Sequence, residues 1–461
     1  MLTHSTRRPR RPAESATSSA PSSDPWFGSF SSQYDRFFRT QLGPLVLLVV
    51  TPLFVQLAAL AALKHDSSLP LLLSSYRSPS VALAAAFPLP SARLALCFCA
   101  FVAFQAALLV ALPGRVFSGA VAPSGFVPTF RANGGAALLA TLAAAGALVR
   151  AGALAPTALF DHALPLLTLL NAFALAVSAA LAAKGALAPS TADAGLEHGL
   201  LFGLYWGVEL YPSLAGVQLK QLIISRVGMM LWFLCTASFA AASARARGGF
   251  TPALAASAGL NLLYVAKFFL FFEADYLRAA DIAVDRLGFM LAWGPLCWMP
   301  LIHNMQTLRL VAAPGLPLGW AGAAAWAALG AAAVWVNLDA DTQRHAVRAA
   351  GGECLVWGKR AAVLRAPYVD AKGGRHVNLL LTCGWHGVAR HFHYVPDILL
   401  LFLYCAPAGF DRLLNFSYFF YLSALLIDRC GRIDARCRAK YGAVWDAYEK
   451  MVPWKLIPGL W

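Results

Sequence analysis

The sequence predicts an all-α, polytopic membrane protein of about ten transmembrane helices, and three features predict it. Hydrophobic residues fill 59% of the 461 positions and charged ones only 13%, with a mean hydropathy of +0.61. Soluble globular chains run nearer ~45–50% apolar and ~25% charged, so the excess must face something other than water. Apolar runs recur at 44–63, 92–113, 135–158, 163–186, 197–212, 227–244, 252–273, 287–305 and 316–337. Each is long enough, or nearly so, to cross a bilayer as a helix, which satisfies every backbone donor and acceptor internally. More than half of the 37 Lys and Arg residues fall in three polar stretches, 1–43, 338–394 and 428–461, which the positive-inside rule places in the cytosol.

One water-soluble enzyme domain is excluded, and so is a secreted disulfide scaffold. The nine cysteines are odd in number, and Cys97, Cys99, Cys235 and Cys297 sit inside apolar runs as small hydrophobes. Nucleic acid is a poor partner, because no basic face with interleaved aromatics stands clear of a span.

Four segments follow. Residues 1–40 read as a disordered basic cytosolic tail, with Arg7, Arg8, Arg10 and Arg11 among Ser and Pro and no apolar periodicity; an organellar transit peptide is the alternative. Residues 41–195, rich in Ala and Leu, read as scaffold helices. Residues 196–337 carry Glu209, Lys220, Lys267, Glu273, Asp275, Arg278, Asp281, Asp285 and His303 in or beside apolar stretches. Ionisable groups at membrane depth line a cavity or pair with each other, so these helices are expected to enclose the substrate. Glu273 to Arg286 reads equally well as a wet loop between spans. Residues 338–461 form a C-terminal lobe with a hairpin around Lys372-Gly373-Gly374, a bent or re-entrant helix pair broken near Pro407, and a basic helix over 428–450.

No dinucleotide fingerprint, Walker A loop or Gly-x-Ser-x-Gly elbow stands at a strand-to-helix junction. His386, His391 and His393 lack a paired carboxylate or cysteine at ligand spacing, and they read as a polar wall with no metal. Arg344, Arg348, Arg390, Arg429, Arg432, Arg436 and Arg438 cluster around the helix pair. Planar guanidinium forks grip phosphate oxygens in two places, which points to a cytosol-facing C-terminal pocket for a cofactor with more than one phosphate; headgroup anchoring is the competing reading.

The run Cys383-Gly384-Trp385-His386-Gly387-Val388-Ala389-Arg390-His391-Phe392-His393-Tyr394, then Asp397, Asp428-Arg429-Cys430-Gly431-Arg432, Arg436-Cys437, Lys440-Tyr441-Gly442 and Val452-Pro453, resembles the signature of the sterol reductase family. Upstream, Gly119 to Gly125, Gly207-Val208-Glu209-Leu210-Tyr211-Pro212 and Asp281-Ile282 to Gly288 resemble its Δ7 branch, which acts on 7-dehydrocholesterol-like Δ5,7-sterols. The resemblance implies reduction of a sterol ring double bond with NADPH in the endoplasmic reticulum membrane. Its implied partners are a sterol and the lipid bilayer, with a sterol isomerase or a second copy of the chain as further candidates.

The resemblance also implies roles. Arg344 and Arg348 would contact the cofactor's phosphates. Trp385, Arg390, His393, Tyr394 and Asp397 would flank the nucleotide, with Arg429, Cys437 and Tyr441 continuing its cradle. Tyr276 and Asp434 would be the proton donors, Tyr276 first because a phenol stays protonated at neutral pH. Glu209, Glu273 and Asp281 would meet the substrate. Ile433 stands where the family carries an acid, so Asp434 lies about 100° round the helix from the expected place. A membrane isoprenylcysteine-type methyltransferase, a C14 reductase and a non-catalytic sterol-binding protein are the alternatives.

Overall fold

Uninterrupted apolar sequence becomes helix here, and helices fix where the charged side chains can go. The computed structural model describes residues 33–196, 198–369 and 374–461, apart from the side chains of Gln33, Tyr34, Ala280 and Asp281. Among the described residues, six helices are long and apolar enough to cross a membrane: Asp35–Lys64 (α1), Ala92–Ala111 (α2), Ala163–Leu187 (α3), Gln221–Arg247 (α4), Pro252–Tyr276 (α5) and Trp320–Ala349 (α6). Gly134–Arg150 is apolar and shorter. Of the basic tail expected over 1–40, residues 33–40 are helical and 1–32 lie outside the described residues.

Several boundaries differ from the sequence reading. The run at 197–212 yields only the helix Leu200–Trp206, because the chain turns at Gly207, φ +107°. A Cβ there would sit 2.6 Å from the carbonyl carbon of Leu287, so two backbones cross where only glycine fits. The run at 287–305 is broken into Phe289–Trp293, a π-helical Gly294–Trp298 and Met299–Ile302. Helix α6 runs past the expected boundary at 337 through Asp339, Asp341, Arg344 and Arg348.

The C-terminal helix pair is Tyr394–Cys405 (α7) and Ser417–Tyr441 (α8), separated by 3₁₀ turns at Ala406–Ala408 and Leu413–Phe416. The basic helix expected over 428–450 is split at Gly442, φ +54°, after which Ala443–Met451 (α9) begins. The all-α expectation is corrected to mostly helical: four two-stranded antiparallel ribbons occur among the described residues. They form in segments that leave the apolar stretches, where alternating polar sequence favours strand pairing. The longest pairs Val363–Val369 with Arg375–Leu381; its turn, with Lys372 and Gly373, lies outside the described residues.

Ion pairs and hydrogen bonds sort the bundle into two ends. At one end Asp66 pairs with Arg309 and with Arg412 at 2.6 Å, Arg309 reaches Asp411 at 2.7 Å, and Arg245 meets Asp161 at 2.8 Å. The α7–α8 turn is therefore held at that far end instead of folding back halfway. At the opposite end Lys184 meets Glu209, Arg286 donates to the Gly195 carbonyl at 2.8 Å, and His345 meets Asp275 at 3.6 Å. The C-termini of α3, α5 and α6 and the start of α4 gather there.

Packing is close where α4 meets the broken helix: a Cβ on Gly228 would lie 2.5 Å from Pro295 Cβ. Gly228→Ala is expected to lower the thermal midpoint by a few degrees, at a cost of ~1–3 kcal/mol from overpacking. Gly259 has nothing within 4 Å, so Gly259→Ala should leave the midpoint unchanged or raise it slightly. Equal effects from the two substitutions in thermal melts would contradict this packing.

Candidate functional site

The last turns of α6 organise the opposite end. Asp339 Oδ2 accepts hydrogen bonds from Gln343 Nε2 and from Trp385 Nε1, each at 2.7 Å. Gln343 Oε1 in turn accepts from the Trp385 backbone N–H at 3.2 Å. This closeness requires Gly384, φ +61°, where a Cβ would fall 2.1 Å from Gln343 Oε1. Phe392 lies flat on Trp385, with ring centroids 5.0 Å apart and planes within 8°. One turn earlier, Asn337 Nδ2 donates to the His393 carbonyl at 2.8 Å, and Lys267 Nζ donates to Asn337 Oδ1 at 2.8 Å while pairing with Asp397 at 3.5 Å. Residues 337–343 thereby fix the segment 384–397.

Around this frame cationic and aromatic groups converge. Arg344 pairs with Asp341 through Nη2 at 2.7 Å, while its buried Nε has no hydrogen-bond partner among the described residues. Arg348 is exposed and lies within electrostatic reach of Arg344, Cys437, Tyr441 and Tyr448. Arg429 hydrogen-bonds Tyr394. The His393 ring packs on Tyr394 at 4.1 Å and on His386 at 5.5 Å. His386 Nε2 and His393 Nδ1 are buried and likewise unpartnered among the described residues. Burial, followed by the charge of Arg344, pushes the His386 imidazole down to about 4, so it is neutral at physiological pH. Buried polar atoms left without partners are costly, and several of them facing one place are what a polar ligand satisfies.

Two expected contacts acquire a different role. Arg390 donates to the Val452 and Pro453 carbonyls at 2.7 and 3.1 Å and to Asp434 at 2.9 Å. His391 Nε2 stands 3.0 Å from the other Asp434 oxygen. Burial pushes the Asp434 carboxyl up, but the hydrogen bonds from His391 and Arg390 outweigh it and hold it at about 2. A carboxyl held that low is ionised at neutral pH, and Asp434 acts here as a clamp between Arg390 and His391. Arg390 is held by its protein partners through its terminal nitrogens, while its buried Nε has no hydrogen-bond partner among the described residues.

Tyr441 and Cys437 belong to the packing between the long ribbon and helices α8 and α9. The Tyr441 hydroxyl accepts from Asn378 Nδ2 at 2.8 Å, and its ring lies among Tyr368 and Trp445. Burial, then Asp434, raises the Cys437 thiol to about 11, leaving it protonated.

The acids expected to meet substrate are engaged too. Both Glu209 oxygens face Lys184, at 2.8 and 3.1 Å, and Ser190 N–H donates to one of them. Glu273 accepts from Gly134 N–H at 2.8 Å, from Gln221 at 3.3 Å and from the fully buried Arg226. Both carboxylates are paired to cations inside the protein. The Asp281 side chain lies outside the described residues. Tyr276, half-buried, packs edge-on against Phe268 at 5.5 Å. Its neighbour Asp275 touches His345, the residue after Arg344, so the phenol's helix meets the arginine-bearing turn of α6.

An apolar cavity of about 350 Å³ opens at this same end, lined by Val102, Phe173, Leu181, Leu219, Ile223 and Leu296 among others, with Lys184 at its edge. Half of its wall comes from α2 and α3, which the sequence presents as plain scaffold. Lys267 stands among the ionisable residues that the sequence places near the cavity, whereas Asn337, Asp339 and Gln343 were missed as site-building residues. The spacing of Asp339 and Gln343, four apart, was the available signal that the helix continues.

The sequence pattern of the ergosterol biosynthesis ERG4/ERG24 family matches residues 52–461. The chain belongs to the sterol reductase family. Among similar proteins, a 7-dehydrocholesterol reductase of Arabidopsis thaliana is 38% identical over 79% of this chain and 84% of its own length. One of Xenopus laevis is 32% identical over 79% of each. A Delta(14)-sterol reductase of Methylotuvimicrobium alcaliphilum is 34% identical over 77% of this chain and 81% of its own length. This sterol reductase is thus a multi-pass membrane protein of an oxidoreductase family acting on sterol double bonds.

The clamp carries a pH consequence. The Asp434 carboxyl lies below its ordinary 3.8, at about 2, so its ionised form favours the folded lobe above pH 3.8 and that preference fades as pH falls toward 2. Asp434→Asn is expected to remove roughly 2 kcal/mol and to flatten the acid limb of the stability curve. A limb identical to that of the wild type would set the clamp aside.

Proposed function

We propose that the chain reduces the C7=C8 double bond of Δ5,7-sterols with NADPH, in the endoplasmic reticulum membrane, with the α6 end of the bundle facing the cytosol. The observation that carries this reading is the convergence of Arg344, Arg348 and Arg429 with the unpartnered nitrogens of Arg344, His386 and His393 beside the Trp385–Phe392 stack. Those groups suit a ligand that combines phosphates with flat rings. Arg344 and Arg348 would take the phosphates, with Trp385, His393 and Tyr394 as the wall along which the dinucleotide lies, while Asp397, paired to Lys267, would set the depth at which it stops. Tyr441 and Cys437 would hold the ribbon in place behind that wall. When bound, the cofactor supplies a hydride to one carbon of the double bond.

The chain's own task is the proton. Tyr276 is assigned to deliver it to the second carbon, because a phenol hydroxyl carries a proton to give and its helix touches the arginine-bearing turn. The apolar cavity supports an apolar substrate in a water-poor setting. About ten crossings result if Gly134–Arg150, the broken helix at 289–312 and the α7–α8 pair cross together with the six long spans.

A C14 reductase is the second reading, favoured by the relative named Delta(14)-sterol reductase at 34% identity. Purified protein given NADPH and either a Δ5,7- or a Δ8,14-sterol separates the two: loss of the Δ7 bond alone is expected, and loss of the Δ14 bond alone would overturn the Δ7 assignment. Arg344→Ala with Arg348→Ala is expected to raise the KM for NADPH by about 10- to 100-fold, the loss of two charge-assisted contacts. Tyr276→Phe should lower kcat ~100-fold or more with KM little changed, in the range of general acid catalysis. A Tyr276→Phe enzyme of wild-type kcat would place the proton donor elsewhere.

A further inference from the structure

Directly after α6 the chain makes a tight hairpin in which Leu355 pairs with Arg360 and Val356 with Lys359. Its two turn residues are Trp357 and Gly358, with φ of +48° and +76°. Both central positions of such a turn need positive φ, which Asn-Gly provides at little strain and a bulky aromatic does not. A tryptophan kept in the left-handed region is an outlier of the kind that marks function. Here the strained residue is also exposed, with 57% of its surface open.

The hairpin is firmly seated. Val356 is buried with Val347, Leu379 and Leu381, and its side chain would touch a Cβ on Gly384 at 2.7 Å. Val347 immediately precedes Arg348. From this base the Trp357 indole meets Trp385 at 5.0 Å with the planes 87° apart, while Phe392 backs Trp385 on a parallel plane. Two indoles at a right angle thus form an open aromatic corner beside Arg344 and Arg348.

We propose that Trp357 is a nucleotide-binding residue that stacks on the purine base at the adenosine end of the dinucleotide, an assignment that rests on the NADPH-dependent reading above. A base joined through its ribose to phosphates held by Arg344 and Arg348 lies within reach of this corner, and a purine offers the flat π-face that an exposed indole takes without base-specific hydrogen bonds. Stacking offsets the strain of holding the side chain at the turn.

The test uses full-length protein in lipid nanodiscs, with 2′,5′-ADP as the probe of the adenosine half and reduced nicotinamide mononucleotide as a hydride donor that lacks it. Trp357→Asn relaxes the turn, so its thermal midpoint is expected to equal or exceed that of the wild type. Its affinity for 2′,5′-ADP should fall about tenfold, turnover with the mononucleotide should be unchanged, and Trp357→Phe should recover most of the lost affinity. Wild-type affinity for 2′,5′-ADP in Trp357→Asn, as expected of a tryptophan that only anchors the membrane interface, would overturn the assignment while leaving the reductase reading intact. So would an equal loss of turnover with the mononucleotide. Failure of the wild-type protein itself to bind NADPH or 2′,5′-ADP would overturn the reductase reading and this assignment together.

Discussion

A carboxylate taken out of water needs a cation beside it, and that requirement organises one end of this bundle. Glu209 has Lys184, Glu273 has Arg226, Asp397 has Lys267 and Asp434 has Arg390. Each pair joins elements distant in sequence, and removing one partner would strand a buried charge, at a cost of ~3–5 kcal/mol. Arg344 and Arg348 stand at the open end of α6. The first pairs with Asp341 and keeps a buried Nε without a partner among the described residues, as Arg226 and Arg390 also do, and the second is exposed. Donor capacity remains where α6 ends, next to a flat aromatic wall.

The rest of the architecture serves to hold that turn in place. Helix α6 extends beyond its apolar portion and presents Asn337, Asp339 and Gln343 to the segment 384–397. The Arg390 clamp ties the same segment to the C-terminal tail through the Val452 and Pro453 carbonyls. At the far end the pairing of Asp66 and Arg309 with Asp411 and Arg412 stretches α7 and α8 across the bundle. Sterol chemistry in such a setting depends on positioning and on excluding water, both of which a rigid charged frame provides.

Much of the fold was legible because spanning helices write themselves as ~20-residue apolar runs. α3, α4 and α5 lie close to the ranges read from sequence. The stop at Gly207 was not legible, since it depends on a crossing with Leu287 and Gly288 eighty residues away. The extension of α6 was hidden because Asp339, Asp341 and Arg344 look like the start of a loop. In the site, the clustering of basic and aromatic residues near 384–394 was visible, whereas the role of Asp434 was not. A carboxyl's protonation follows from its neighbours, and Arg390 and His391 sit more than forty positions upstream. The cations of Glu209 and Glu273 were hidden for the same reason, since Lys184 and Arg226 lie tens of residues away in sequence.

The most direct measurement is a cryo-electron microscopy map of the protein in nanodiscs with NADPH. The account predicts dinucleotide density with its pyrophosphate against Arg344 and Arg348 and its rings along Trp385. Density lodged elsewhere, or both guanidinium groups turned outward onto lipid phosphates, would contradict it.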